Sequence, residues 1–146
     1  MNKFEAGTKN AEIFNTTAPY NNYNQGSDPR WLFVCSAGLL RSPTGAALAI
    51  RKGLNARSCG SAIDYALIPI SANLIMWAHK IVFVSKENYQ EALELFKDHE
   101  MLSHLIVVRS LVLDIPDIYN FNESDLNIEF EKQIDWVHAV GGKTTY

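Results

Sequence analysis

The sequence holds only two cysteines, Cys35 and Cys59, among 146 residues. A small disulfide-stapled scaffold needs several bridges, so that class is excluded. No C-x-x-C pair occurs, and the four histidines (His79, His99, His104 and His138) are scattered. That spacing offers no zinc-like ligand set. A Walker loop and a G-x-G-x-x-G fingerprint are also missing. The net charge of -3 gives no attraction for a phosphate backbone, so no nucleic-acid partner is expected. No apolar run approaches the roughly 20 residues that span a membrane, so no membrane partner is expected. The opening MNKFEAGTKNAEIFNTT lacks the apolar stretch of a signal peptide, and a cytoplasmic location is the expectation. No cofactor and no metal are expected, and no feature of the sequence specifies an oligomeric state.

What remains is an ordinary globular composition, 47% hydrophobic and 20% charged, in a chain of one-domain length. Residues 1–29 read as a polar N-terminal extension. Their stretch TTAPYNNYNQGSDPR is rich in the turn formers Asn, Thr, Gly and Pro. A domain is expected over 30–140 and a flexible tail over 141–146. Trp31–Val34 is a short apolar run consistent with a buried strand. Ser42–Leu54 reads as a helix, with Ser42 as cap, Pro43 in the first turn, and Gly53 and Asn55 beyond its end. Ala56–Ser58 reads as a short strand broken by Cys59-Gly60-Ser61. Ile70–Ala78 and Ser85–Phe96 read as helices around the β-branched strand Lys80–Val84. Leu105–Val108 reads as a strand, and Ser124–Val140 as one final helix. Alternating strands and helices predict an α/β fold: a three-layer sandwich around a central four-stranded, mainly parallel sheet. Ligands of such sheets sit beyond the carboxyl ends of the strands.

Cys35 ends the first strand there, in WLFVCSAGLLRSPTGA. A cysteine before a helix N-terminus faces the positive end of the helix dipole, and the thiolate is the attacking form of cysteine. The amides of Ser36, Ala37, Gly38, Leu39, Leu40 and Arg41 can curl around one point, the shape of a nest for an anion such as phosphate. Gly38 suits a tight loop. Arg41 carries a planar fork that matches two phosphate oxygens. Ser42 is placed to donate to the cysteine sulfur. The chemistry this serves is attack of the Cys35 thiolate on a phosphomonoester, then hydrolysis of the phosphocysteine by water. The plain alternative is a cysteine that only fills space at a strand end.

These residues resemble the signature of the low-molecular-weight protein tyrosine phosphatase family, an apolar strand followed by C-x(5)-R-S, in its compact bacterial form. The resemblance implies that family's fold and a phosphotyrosine protein, or another phosphomonoester, as substrate. It also implies a general acid from a second motif, matched here by LVLDIPDIYNF at Leu111–Phe121. Asp117 takes the acid position, Asp114 is the alternative, and Tyr119 is the expected aromatic wall of the pocket. Asp114 and Asp117 can also be read as turn formers around Pro116.

Three departures stand out. Where the family has a bracing Asn this chain has Gly38, so a looser loop is expected. Leu40 replaces a second loop cysteine, which rules out a disulfide within the loop. Asn120 follows Tyr119 where the family pairs two tyrosines. Cys59 is expected to be a small buried residue rather than a redox partner. Competing functions are a phosphatase for small-molecule or nucleotide-linked esters, a non-enzymatic phosphate-binding protein, and an arsenate reductase. The last needs more relay cysteines than this chain has.

Overall fold

The computed structural model describes residues 29–141. The expected N-terminal extension, apart from Pro29, and the expected tail beyond 141 lie outside the described residues. Four strands, β1 (Arg30–Cys35), β2 (Asn55–Gly60), β3 (Lys80–Phe83) and β4 (Ser110–Val112), form one sheet in the order β2-β1-β3-β4. Every pairing is parallel. The connections are α1 (Arg41–Arg51), α2 (Ala72–Trp77), α3 (Lys86–Leu95) and α4 (Glu100–Arg109), and α5 (Ser124–Gln133) and α6 (Trp136–Gly141) follow β4.

β1 is central because its sequence is apolar on both faces, as a strand covered from both sides must be. Trp31, Phe33 and Cys35 face one core with Ala46 and Ala49 of α1, Leu126 and Phe130 of α5, and Trp136 of α6. Leu32 and Val34 face the other with Ile75 of α2, Ala92 of α3 and Ile106 of α4. Phe33 meets Phe130 edge-on at 5.9 Å between ring centroids, and Trp31 stacks on Trp136 at 6.2 Å. Phe33 and Phe130 are fully buried, and each contributes about 1.5–3 kcal/mol by leaving water. The result is the expected three-layer sandwich, with a sheet that is parallel throughout.

Four local expectations are corrected. Leu105–Val108 is not a strand but lies in α4. His99 caps that helix, its Nδ1 accepting from Leu102 N–H at 3.3 Å, and only Leu102 and Ile106, four apart, are buried. The strand is the next segment, Ser110–Val112. Ser124–Val140 is two helices: Ile134 takes an extended conformation, and Asp135 restarts the helix by accepting from His138 N–H at 3.1 Å. β2 is not broken at Cys59; its pairing with β1 runs unbroken from Asn55 to Gly60. Ser42 does not cap α1, which begins one residue earlier with no side-chain cap at Leu40.

Candidate active site

The carboxyl ends of β1 and β2 are in register, with Cys35 opposite Gly60. From there residues 36–40 form a loop that hands over to α1 at Arg41. Gly38 turns the loop with φ +72°, a left-handed conformation that favours glycine. Its N–H donates to Cys35 Sγ at 3.2 Å. On the other side of the sulfur, Ser42 Oγ lies at 3.0 Å and is also 3.2 Å from the carbonyl of Cys59. A thiolate accepts only, so a charged Sγ draws the Ser42 hydroxyl proton away from that carbonyl. With no side chain capping α1, its N-terminal amides are left for an anion.

Arg41 is buried, 6% exposed, with Nη1 donating to the carbonyl of Ile115 at 2.8 Å. Its Nε stands 3.5 Å from Asp117 Oδ1. Beyond β4, Leu113 and Ile115 continue to donate to β3-side carbonyls, Phe83 at 2.8 Å and Val84 at 3.0 Å. This carries residues 115–117 to the loop. The same alternation buries Leu113 and Ile115 and turns Asp114 outward, where Gln133 holds its backbone N–H and carbonyl at 2.8 and 2.9 Å.

Cys35, Ser36, Ala37, Leu39, Leu40, Arg41, Tyr65 and Asp117 line one cavity of about 270 Å³. The structure therefore brings Cys35, most of the expected loop and Asp117 together. Asp114 and Tyr119 are not part of this lining. Tyr119 packs instead against the core beneath α1 and α5. The aromatic at the mouth is Tyr65, from the loop between β2 and α2, for which the sequence reading had no role. Its one available signal is position: a segment leaving the carboxyl end of β2 runs beside the site. That segment is bonded to the loop of residues 36–40, Ala62 N–H to the Ser36 carbonyl at 3.0 Å and Leu67 N–H to that of Ala37 at 3.0 Å. Gly60 permits this approach, since a Cβ there would overlap the Ser36 carbonyl oxygen and lie 2.5 Å from the Ala66 Cβ.

Cys59 sits in the opposite core from Cys35, and both cysteines are free thiols. Burial, and secondarily the nearby Cys35, push the Cys59 thiol well above its usual range, which leaves it a neutral apolar filler. A larger hollow of about 650 Å³ lies at the α3–α4 turn, lined by Asp98, His99, Glu100, Met101 and His104. It holds no nucleophile, and no metal-ligating cluster of His, Cys, Asp or Glu exists among the described residues. No helix among the described residues is long and apolar enough to cross a membrane.

No protein-family model matches this sequence, and no curated protein matches it. Solved structures do share its fold. An arginine phosphatase, YwlE from Geobacillus stearothermophilus, is similar with a TM-score of 0.57 at 16% identity, over 80% of this chain and 93% of that one. The tyrosine phosphatase Wzb from Escherichia coli K30, in complex with phosphate, gives 0.55 at 14% identity, over 73% and 93%. Wzb of Vibrio vulnificus, in complex with benzylphosphonate, gives 0.55 at 14% identity, over 82% and 99%.

Proposed function

We propose that this chain is a cysteine-dependent phosphomonoesterase of the low-molecular-weight tyrosine phosphatase type, acting on phosphotyrosine in proteins. One observation carries the reading: the Cys35 sulfur, held between the Gly38 amide and the Ser42 hydroxyl, opens into the same cavity as the buried Arg41 and the exposed carboxyl of Asp117. The similar fold of solved tyrosine and arginine phosphatases supports it.

In the first step Cys35 Sγ attacks phosphorus, an S–P bond forms and the ester P–O bond breaks. Asp117 gives its proton to the departing oxygen, which leaves poorly as an anion. In the second step water attacks phosphorus and Asp117 takes up its proton. The S–P bond breaks, releasing inorganic phosphate and the thiolate, which Ser42 stabilises by donating to it. Loop amides and the Arg41 fork hold the equatorial oxygens through both steps, where charge builds. The Ile115 carbonyl aims that fork. Leu39, Leu40 and Tyr65 give the rim an apolar and aromatic lining that suits a phenyl ring better than a nucleotide or a sugar.

The deciding experiment compares phosphotyrosine peptide, phosphoserine peptide, phosphoarginine and nucleoside monophosphates as substrates, with vanadate as inhibitor. We expect turnover of phosphotyrosine above the rest, inhibition by vanadate, and no turnover by Cys35→Ser. Preference for phosphoarginine, the substrate type named for the YwlE structures, would replace the phosphotyrosine assignment. Wild-type turnover by Cys35→Ser would overturn the mechanism.

A further inference from the structure

Position 38 of the anion loop carries no side chain, and one would fit only tightly. A Cβ on Gly38 would lie 3.1 Å from both Cys59 C and Gly60 N at the end of β2. The loop is held elsewhere. Asn88, fully buried in the first turn of α3, donates from Nδ2 to Ser36 Oγ at 2.9 Å. The same nitrogen is 3.2 Å from Ser61 Oγ and 3.3 Å from Glu91 Oε1. Ser61 in turn donates to the Glu91 carboxylate at 2.9 Å, and its N–H donates to the Cys35 carbonyl at 2.8 Å. The amide orientation follows from chemistry: a carboxylate accepts only, so the nitrogen must face Glu91 and the oxygen must face Ser85.

Ser85 occupies the cap position of α3, where a serine hydroxyl ordinarily accepts from the helix's free amides. Here no such cap bond forms; the hydroxyl donates to Asn88 Oδ1 at 2.6 Å. A local rule of helix ends is given up to fix one buried amide, which is the kind of conflict expected where a site is being supported.

We propose that Asn88 is the positioning residue of the anion loop, gripping Ser36 through its side-chain amide. The proposal rests on the phosphatase reading for its catalytic consequence, though not for its effect on the loop. A loop held at Ser36 presents its amides in one arrangement, and a bound anion does not have to order them.

The test uses the full chain with Ser36→Ala, Asn88→Ala and the double variant. It measures hydrogen exchange of the amides of 36–41, inhibition by inorganic phosphate, kcat and KM on p-nitrophenyl phosphate, and Tm. Ser36→Ala should speed loop exchange and weaken phosphate inhibition roughly three- to tenfold, the scale of one hydrogen bond, with Tm nearly unchanged. Asn88→Ala should add a fall in Tm, because it also strips Ser61 and Ser85 of a partner. In the double variant the loop effects should be no larger than in Asn88→Ala, since both substitutions break one bond. Unchanged loop exchange and phosphate inhibition in Ser36→Ala, or losses that simply add in the double variant, would overturn the brace. A wild type that neither turns over substrate nor binds phosphate would overturn the phosphatase reading instead, and loop exchange would still decide the brace.

Discussion

Asp117 and Asp114 are three residues apart, yet only Asp117 lines the cavity. Asp117 stands 3.5 Å from the Arg41 guanidinium, whereas Asp114 is turned to solvent with its backbone clamped by Gln133. A general acid matters most when the leaving oxygen is basic, and it is worth about 10²–10⁴-fold. Asp117→Asn should therefore lower kcat on phenyl phosphate by about 10²-fold or more, and by much less on p-nitrophenyl phosphate, whose leaving group needs little help. Asp114→Asn should stay within about twofold on both, as surface substitutions do. Equal losses for the two variants would remove the assignment to Asp117. Cys35 and Arg41 are legible in the sequence because their relation is local, six positions across one loop. The choice between the two aspartates is not, since it depends on Leu113 and Ile115 continuing the pairing with the β3 side. The aromatic wall is less legible still. Tyr119 lies two residues from Asp117 in sequence but packs against the core in space, and Tyr65 arrives from a loop that only the third dimension brings near.

Among the elements, α1 links the site to the core, and Gly45 is where the fit is closest. A Cβ there would lie 2.6 Å from Phe33 Cδ2 and 2.8 Å from Phe130 Cε1, and both rings are fully buried. Alanine improves helix propensity by about 1 kcal/mol. Overpacking a full core costs about 1–3 kcal/mol. The clash should win: Gly45→Ala is expected to lower unfolding free energy by up to about 2 kcal/mol in urea titrations, and Gly45→Val by more. A stabilised Gly45→Ala would mean that the two rings slide apart freely. The same contest between local preference and packing explains the misread elements. Leu105–Val108 has the β-branched content of a strand, but His99 caps the segment and Ile106 follows Leu102 at helical spacing into the core. The final helix keeps its apolar period through Asp135, yet that residue starts a second helix. Trp136 then reaches back to donate from Nε1 to the Phe130 carbonyl at 3.0 Å. Capping is visible in a sequence only once the competing period has been set aside.

At the scale of the whole molecule the parallel sheet has two unlike ends. Alternating apolar runs are enough to predict the layers and the end at which the site lies, but not the strand order, which rests on which crossovers pack. Opposite the cavity, the amino ends of β1 and β3 gather cations. Arg30 Nε donates to the Trp77 carbonyl at 2.6 Å, Arg109 donates to that of Ala78 at 2.8 Å, and Arg57 lies over the Trp77 ring at 4.5 Å. His79 sits among them, its Nδ1 accepting from Arg30 N–H at 2.9 Å. Burial first, then Arg30 and Arg109, hold its pKa below the usual 6.5. A protonated His79 would lose that acceptor and meet two guanidinium groups. The unfolded chain therefore takes up this proton before the folded one does. The stability tied to neutral His79 is full above pH 6.5 and is lost as pH falls through the lower folded value. Glu87 and Glu129, whose pKa values are also lowered, begin to matter only near and below 4.5. Thermal unfolding from pH 7.5 to 5 should show Tm falling in the wild type and falling less in His79→Gln, which cannot titrate. Parallel slopes in the two proteins would mean that the basic end of the sheet tolerates one more charge.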